Sequence, residues 1–180
     1  MAGRELTRRA AMTAGGAALL AAHGPSNGRT LAMAEDLPGL TFEYEAIVTL
    51  KPTVEIGRSP RGIRRRIDIT GGTFAGPRIR GTVLAGGADW QLQRGDNWTV
   101  IEADYMMRAD DGTYIHVRNV GLTNSRVPGV STRYLRAAPV FEVPEGPHEW
   151  LNQALFISTL GPAPDDAPKP SVRIRVYRVT

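Results

Sequence analysis

The chain has 180 residues, 42% hydrophobic and 22% charged, a composition that excludes a disordered or membrane-embedded chain. Its formal charge of +4 is concentrated early, because Arg4, Arg8, Arg9 and Arg29 against Glu5 place +3 within residues 1–34. The remainder carries +1, which excludes a polyphosphate-binding body, and the lack of cysteine excludes disulfide frameworks, thiolate nucleophiles and the usual structural zinc sites.

Residues 1–34 read as an export signal peptide. Thr7, Arg8 and Arg9 supply a twin-arginine pair, and Ala10 to Ala22 is apolar but too short to cross a bilayer of roughly 30 Å as a helix. Ala32, Met33 and Ala34 then offer a small-x-small cleavage site before Glu35. The expectation is an exported, periplasmic protein with no stable membrane insertion once the leader is removed, and with residues 35–180 as one domain.

That domain reads as all-β, a single antiparallel β-barrel of about eight to nine strands. From Phe42 the chain alternates, with Tyr44, Ala46, Val48 and Leu50 on the side of Phe42 and Glu43, Glu45 and Thr49 opposite. Ile63, Ile67 and Ile69 interleave with Arg64, Arg66 and Asp68 in a second strand. Ile79 to Leu84 and Trp90 to Gln93 follow, separated by Gly86 and Gly87, and a long strand runs from Trp98 to Arg108. Asp110, Asp111 and Gly112 form a hairpin turn, from which Thr113 to Val120 returns. Tyr134 to Val143 is a further strand, with Pro139 marking an edge or bulge. One helical turn is expected between His148 and Ala154, then strands at Leu155 to Leu160 and Val172 to Val176 around a proline-rich loop. Many short strands with almost no amphipathic helix favour a closed barrel, whose interior is just wide enough for one small ligand.

Several short motifs share one pattern. They are Phe74, Gly76, Pro77 and Gly81, then Gly86-Gly87-Ala88-Asp89-Trp90, then Asp111, Gly112 and Ile115, with Gly121 beyond. Tyr134, Arg136, Pro139, Phe141 and Glu142, then Trp150, Leu151 and Asn152, and finally Tyr177 complete it. Together they resemble the domain of unknown function 3237 family, also called uncharacterised protein family 0311. The resemblance covers most of the chain after the leader and implies a compact β-barrel with no established reaction. The leader is extra to the family pattern, and the arginine-rich stretch from Arg58 to Arg66 carries none of these motifs.

Candidate chemistry gathers on a few side chains. Asp89 and Trp90 follow the Gly-Gly corner, where a backbone can bring a carboxylate and a ring to a barrel mouth. Glu102 and Asp104 share one strand face as a candidate coupled acid pair. With an even-length hairpin loop they lie with Ile115, Val117 and Asn119, while Tyr105 lies with His116 and Arg118; a three-residue loop reverses that partnership. Arg136 sits among Tyr134, Phe141 and Glu142, a setting suited to stacking or to holding a carboxylate. His148 has no second histidine beside it, so no metal site is expected, and no motif demands a cofactor or a nucleic acid.

Three readings follow. The first is a barrel that binds a small aromatic or carboxylated molecule, lined by some of Trp90, Tyr105, Arg118, Tyr134 and Arg136. The second is an acid/base enzyme, a lyase, isomerase or hydrolase, using Asp89, Glu102 or Asp104. The third is a solid barrel acting through its surface. A buried, perturbed carboxylate facing a cavity distinguishes the second from the others.

Overall fold

The computed structural model describes residues 37–180, so the expected leader lies outside the described residues. Ten strands form one antiparallel sheet: β1 (Leu40–Leu50), β2 (Val54–Ser59), β3 (Gly62–Ala75), β4 (Arg80–Val83), β5 (Ala88–Gln93), β6 (Thr99–Ala109), β7 (Tyr114–Thr123), β8 (Leu135–Glu142), β9 (Phe156–Pro162) and β10 (Ser171–Val179). The sheet closes because β1 pairs with β10 on one side and β3 on the other. Along β3, β2 and then β1 flank one edge, while β5 and then β4 flank the opposite edge. The result is the expected all-β barrel. Strand β2 was not anticipated, because Val54, Ile56 and Gly57 are exposed or half-buried and show no clear alternation.

The inward faces divide the barrel into two halves. In one, Phe141 packs edge to face with Tyr44 and Phe156, at centroid distances of 6.3 and 4.9 Å, and Tyr44 lies tilted against Phe74. Met107, Ile115, Val117 and Val176 fill the space between them, all essentially inaccessible to solvent. A 3₁₀ turn, Glu149–Gln153, closes this end with Leu151 fully buried. It wedges in where β8 and β9 part, for those strands pair only at Arg136 and Ala137. Pro139, which has no N–H to donate, lies just past that separation. The Asn152 side chain substitutes for the missing strand by hydrogen-bonding both Val143 N and Val143 O. The other half of the barrel is hollow.

Two sequence expectations are corrected by register. A bulge between Phe42 and Tyr44 breaks the alternation of β1, so that Glu43 and Tyr44 are both buried and Phe42 turns outward. The β6–β7 hairpin has a three-residue loop, with Ala109 N bonded to Thr113 O and Gly112 at φ 93°. Glycine supplies that positive φ at little steric cost. The even-loop pairing is therefore reversed: Asp104 stands opposite Arg118 and Met106 opposite His116 on the outside, while Tyr105 and Met107 meet Val117 and Ile115 inside.

The bulge delivers Glu43 to two arginines. Arg78, just after β3, donates to its carboxylate through Nε and Nη2 at 3.0 and 2.7 Å, and Arg178 on β10 donates through Nε at 2.9 Å. Arg78 also lies over the Trp150 ring, 3.6 Å from its centroid. The Glu43 side chain is 2% exposed, whereas Arg78 and Arg178 keep 44% and 36% of theirs in solvent. Removing the arginines strands a buried carboxylate, while removing Glu43 leaves cations that water can reach. Arg78→Ala/Arg178→Ala is therefore expected to cost about 3–5 kcal/mol in denaturant unfolding, and Glu43→Gln clearly less.

Candidate functional site

The Gly86-Gly87 corner carries the chain from β4 to β5 and fixes the site. A Cβ on Gly87 would stand 2.4 Å from Tyr105 Cβ and 2.6 Å from Asp104 O, so only glycine lets the corner pack against β6. Gly87 O accepts from Ile69 N, which ties the corner to β3 as well. Two residues on, Asp89 projects inward between its cross-strand neighbours Ile67 on β3 and Ala103 on β6.

Asp89 faces a cavity of about 210 Å³ that occupies the hollow half of the barrel. Its wall is largely apolar, with Val48, Ile69, Ile101, Leu135, Leu160 and Ile174 contributing. Both carboxylate oxygens are held: Gln91 Nε2 donates to Oδ2 at 2.7 Å and the Glu102 backbone N–H donates to Oδ1 at 3.1 Å. The second bond exists because the β5–β6 ladder is interrupted between the Asp89–Ala103 and Leu92–Val100 pairs. Burial is the dominant influence and pushes the Asp89 carboxyl above the ordinary carboxylate range, while these two hydrogen bonds pull it part of the way back.

Other polar groups share the cavity. Thr99 is 2% exposed, and its hydroxyl has no hydrogen-bond partner among the described residues. Asn119 accepts from the Ser158 hydroxyl at 3.3 Å, which orients it. The Tyr105 phenol lines the floor, and burial raises its pKa so that it stays a hydrogen-bond donor. Ser125, Arg126 and Arg133 stand at the mouth.

Of the residues singled out in the sequence, Asp89 and Tyr105 line this cavity. Trp90 cannot, because a strand turns successive side chains to opposite faces; it is 41% exposed and lies under Arg66, whose Cζ is 5.2 Å from the ring centroid. Glu102 and Asp104 are on the outer face for the same reason. Arg118 donates to Glu102 Oε1 at 2.6 Å, and His116 Nε2 lies 3.0 Å from Asp104 Oδ1, so each acid has its own basic partner. The hydrogen bond to Asp104 raises the pKa of His116. Tyr134 and Arg136 are exposed beside each other, with Cζ 5.8 Å from the Tyr134 ring and Arg136 Nη1 donating to Leu135 O. In the arginine-rich stretch, Arg65 alone is buried, paired with Glu55 and donating to Gln93. The site residues missed from sequence were Gln91, Thr99, Asn119, Arg126 and Arg133. The first two were legible as the same-face neighbours, two and four residues along a strand, of Asp89 and Ala103.

A family model described as a protein of unknown function, DUF3237, matches residues 38–179. The chain belongs to this family. A UPF0311 protein of Rhodopseudomonas palustris is 32% identical over 135 residues, 68% of this chain and 88% of that protein. The crystal structure of the conserved protein of unknown function from that organism superposes with a TM-score of 0.70 at 28% identity, covering 81% of this chain and 99% of the other. A β-barrel-like protein from Acinetobacter baumannii also gives 0.70, at 25% identity over 82% and 99% of the two chains. A hydroalkoxylation enzyme of Penicillium herquei is 30% identical over 116 residues, 64% of this chain and 69% of that enzyme.

In this DUF3237 barrel the raised carboxyl carries a stability signature. A folded-state pKa above the unfolded value means that the protonated form is favoured by folding, so the contribution is full below the ordinary carboxylate range and is lost as pH rises through the shifted pKa. Asp89→Asn keeps the shape without the charge. It is expected to raise the melting temperature at pH 7, with the gain shrinking toward zero as the pH is lowered below 4, measured by thermal unfolding across that range.

Proposed function

We propose that this protein is an enzyme that moves a proton on a small, largely apolar molecule bound inside the barrel, with Asp89 as proton donor and acceptor. One observation carries the reading: a single carboxyl, raised by burial and oriented through both oxygens, faces an otherwise mostly apolar cavity. A carboxyl whose protonated form is favoured by burial can give a proton and take one back, which is what general acid/base work requires. The hollow half of the barrel supports an interior site over a solid barrel acting only through its surface.

Size and chemistry narrow the substrate. A dry cavity of about 150 Å³ accepts benzene, so about 210 Å³ suits a molecule of one or two rings. The relative in Penicillium herquei, named a hydroalkoxylation enzyme, favours an addition or isomerisation over a hydrolysis. In such a step Asp89 protonates one alkene carbon while a hydroxyl oxygen of the same molecule bonds to the other. The hydroxyl proton returns to the carboxylate, so the reaction is a net isomerisation with no oxidant or reductant. Thr99 and Tyr105 offer hydroxyls to orient the reacting oxygen.

Isotope transfer tests the reading with the substrate still unidentified. Incubated in D2O with a metabolite extract of the producing cells, the wild-type protein is expected to add one deuterium to at least one small cyclic compound, detected by mass spectrometry. Asp89→Asn, verified as folded by circular dichroism, is expected to lower that incorporation by at least 100-fold, the scale of a lost general acid. Equal incorporation with both proteins, or none with wild type, counts against Asp89 chemistry.

A further inference from the structure

The loop between β7 and β8 is braced by one buried side chain. Asn124 donates through Nδ2 to Thr132 O at 2.8 Å and accepts from Tyr134 N at 2.7 Å, and its own carbonyl accepts from Val127 N at 2.9 Å. These bonds hold the two ends of the loop together. Arg126 lies within the segment closed by the Val127 bond, and Arg133 lies between the two residues that Asn124 grips. Both arginines line the cavity mouth.

Their surroundings differ from those of the arginines that build the fold. Arg65, Arg66, Arg78, Arg118, Arg175 and Arg178 each pair with a carboxylate. Among the described residues, Arg126 and Arg133 form no ion pair, and Asp89 is the one carboxylate in the lining they share. Two guanidiniums lining one mouth can each give an anion charge-assisted hydrogen bonds. A second observation points the same way. Thr99, buried and with a hydroxyl that lacks a partner, lines the cavity beside its cross-strand neighbour Thr123, two residues before the loop reaches Ser125.

From this arrangement we infer that the substrate is a small ring carboxylate, its anionic group held at the mouth by Arg126 and Arg133 and its uncharged ring directed inward toward Asp89. The inference rests on the interior being the site at which Asp89 acts, and it adds the charge class of the molecule and the direction in which it enters. Separation of charge makes the two ends compatible: the anion stays with the arginines in partly solvated surroundings, and the apolar wall receives the ring. A carboxylate placed deep beside Asp89 would instead set two acids together in a poorly hydrated space. The two guanidiniums also attract anions to the mouth from solution, an effect that salt weakens.

Isothermal titration with benzoate and 3-phenylpropanoate, each against its neutral amide, tests this. The wild-type protein is expected to bind at least one acid 10-fold or more tightly than its amide, and 0.5 M NaCl is expected to reduce that preference. Arg126→Gln/Arg133→Gln should bring the acid down to the affinity of the amide, while Arg126→Lys/Arg133→Lys, which keeps the charge, retains a preference. Acid and amide binding equally to wild type, or a preference that survives the glutamine variant, overturns the inference; the Asp89 reading then stands if isotope transfer persists. Failure of every probe to bind also overturns it, and if it comes with no Asp89-dependent isotope transfer, the interior site falls as well.

Discussion

Closure of the barrel through β1 is the constraint on which the rest depends. The strand must satisfy β10 and β3 at once, and the bulge at Glu43 lets it curve between them while turning a carboxylate toward Arg178 of β10 and Arg78 beyond β3. Backbone hydrogen bonds beside it reinforce the same seam, with Gly39 N donating to Thr180 O and Thr180 N to Gly39 O. A buried charge is costly unless its partners are well placed, and here three donor contacts from two strands' neighbourhoods supply them. Without the pairing of β1 on both sides the sheet would be open at this seam and the cavity would have no continuous wall.

Closure alone would allow a solid interior. The hollow half exists because bulky rings are concentrated at one end, where Tyr44, Phe74, Phe141 and Phe156 interlock, whereas the other end is lined by Val48, Ala103, Leu135 and similar side chains that leave the middle empty. The aromatic plug is a rigid floor for the cavity, with Tyr105 at the boundary between the two halves. The packed core and the candidate site thus occupy different ends of one sheet.

Asp89 is where stability and the proposed chemistry conflict. A carboxyl in apolar surroundings weakens the fold at neutral pH, yet the Gly-Gly corner, the interrupted β5–β6 ladder and Gln91 all converge to hold it there. Such convergence on a destabilising group is characteristic of a working site. The Asn124-braced loop adds at the opening Arg126 and Arg133, which form no ion pair among the described residues, so charge is present at the mouth as well as in the interior.

The sequence by itself determined the barrel and every strand but β2, because period-2 alternation and glycine punctuation report local backbone geometry, and it singled out the carboxylate of the Gly-Gly-Ala-Asp-Trp corner. Even so, alternation says which residues share a face and not which face is inside. Asp89 and Trp90 had to point opposite ways, but only closure of the sheet put Asp89 within. The hairpin at Gly112 could be built with an even or a three-residue loop, and the difference of one residue gave Glu102 and Asp104 the face of His116 and Arg118 in place of that of Ile115 and Val117. Glu43 read as solvent-facing until a bulge, which has no signature in the sequence pattern, turned it inward. Arg126 and Arg133 lie in a loop without periodicity, seven residues apart, and were brought to one opening by hydrogen bonds from Asn124 that only the folded chain creates. Local chemistry wrote the elements; register and closure, which are long-range properties, decided what the elements enclose.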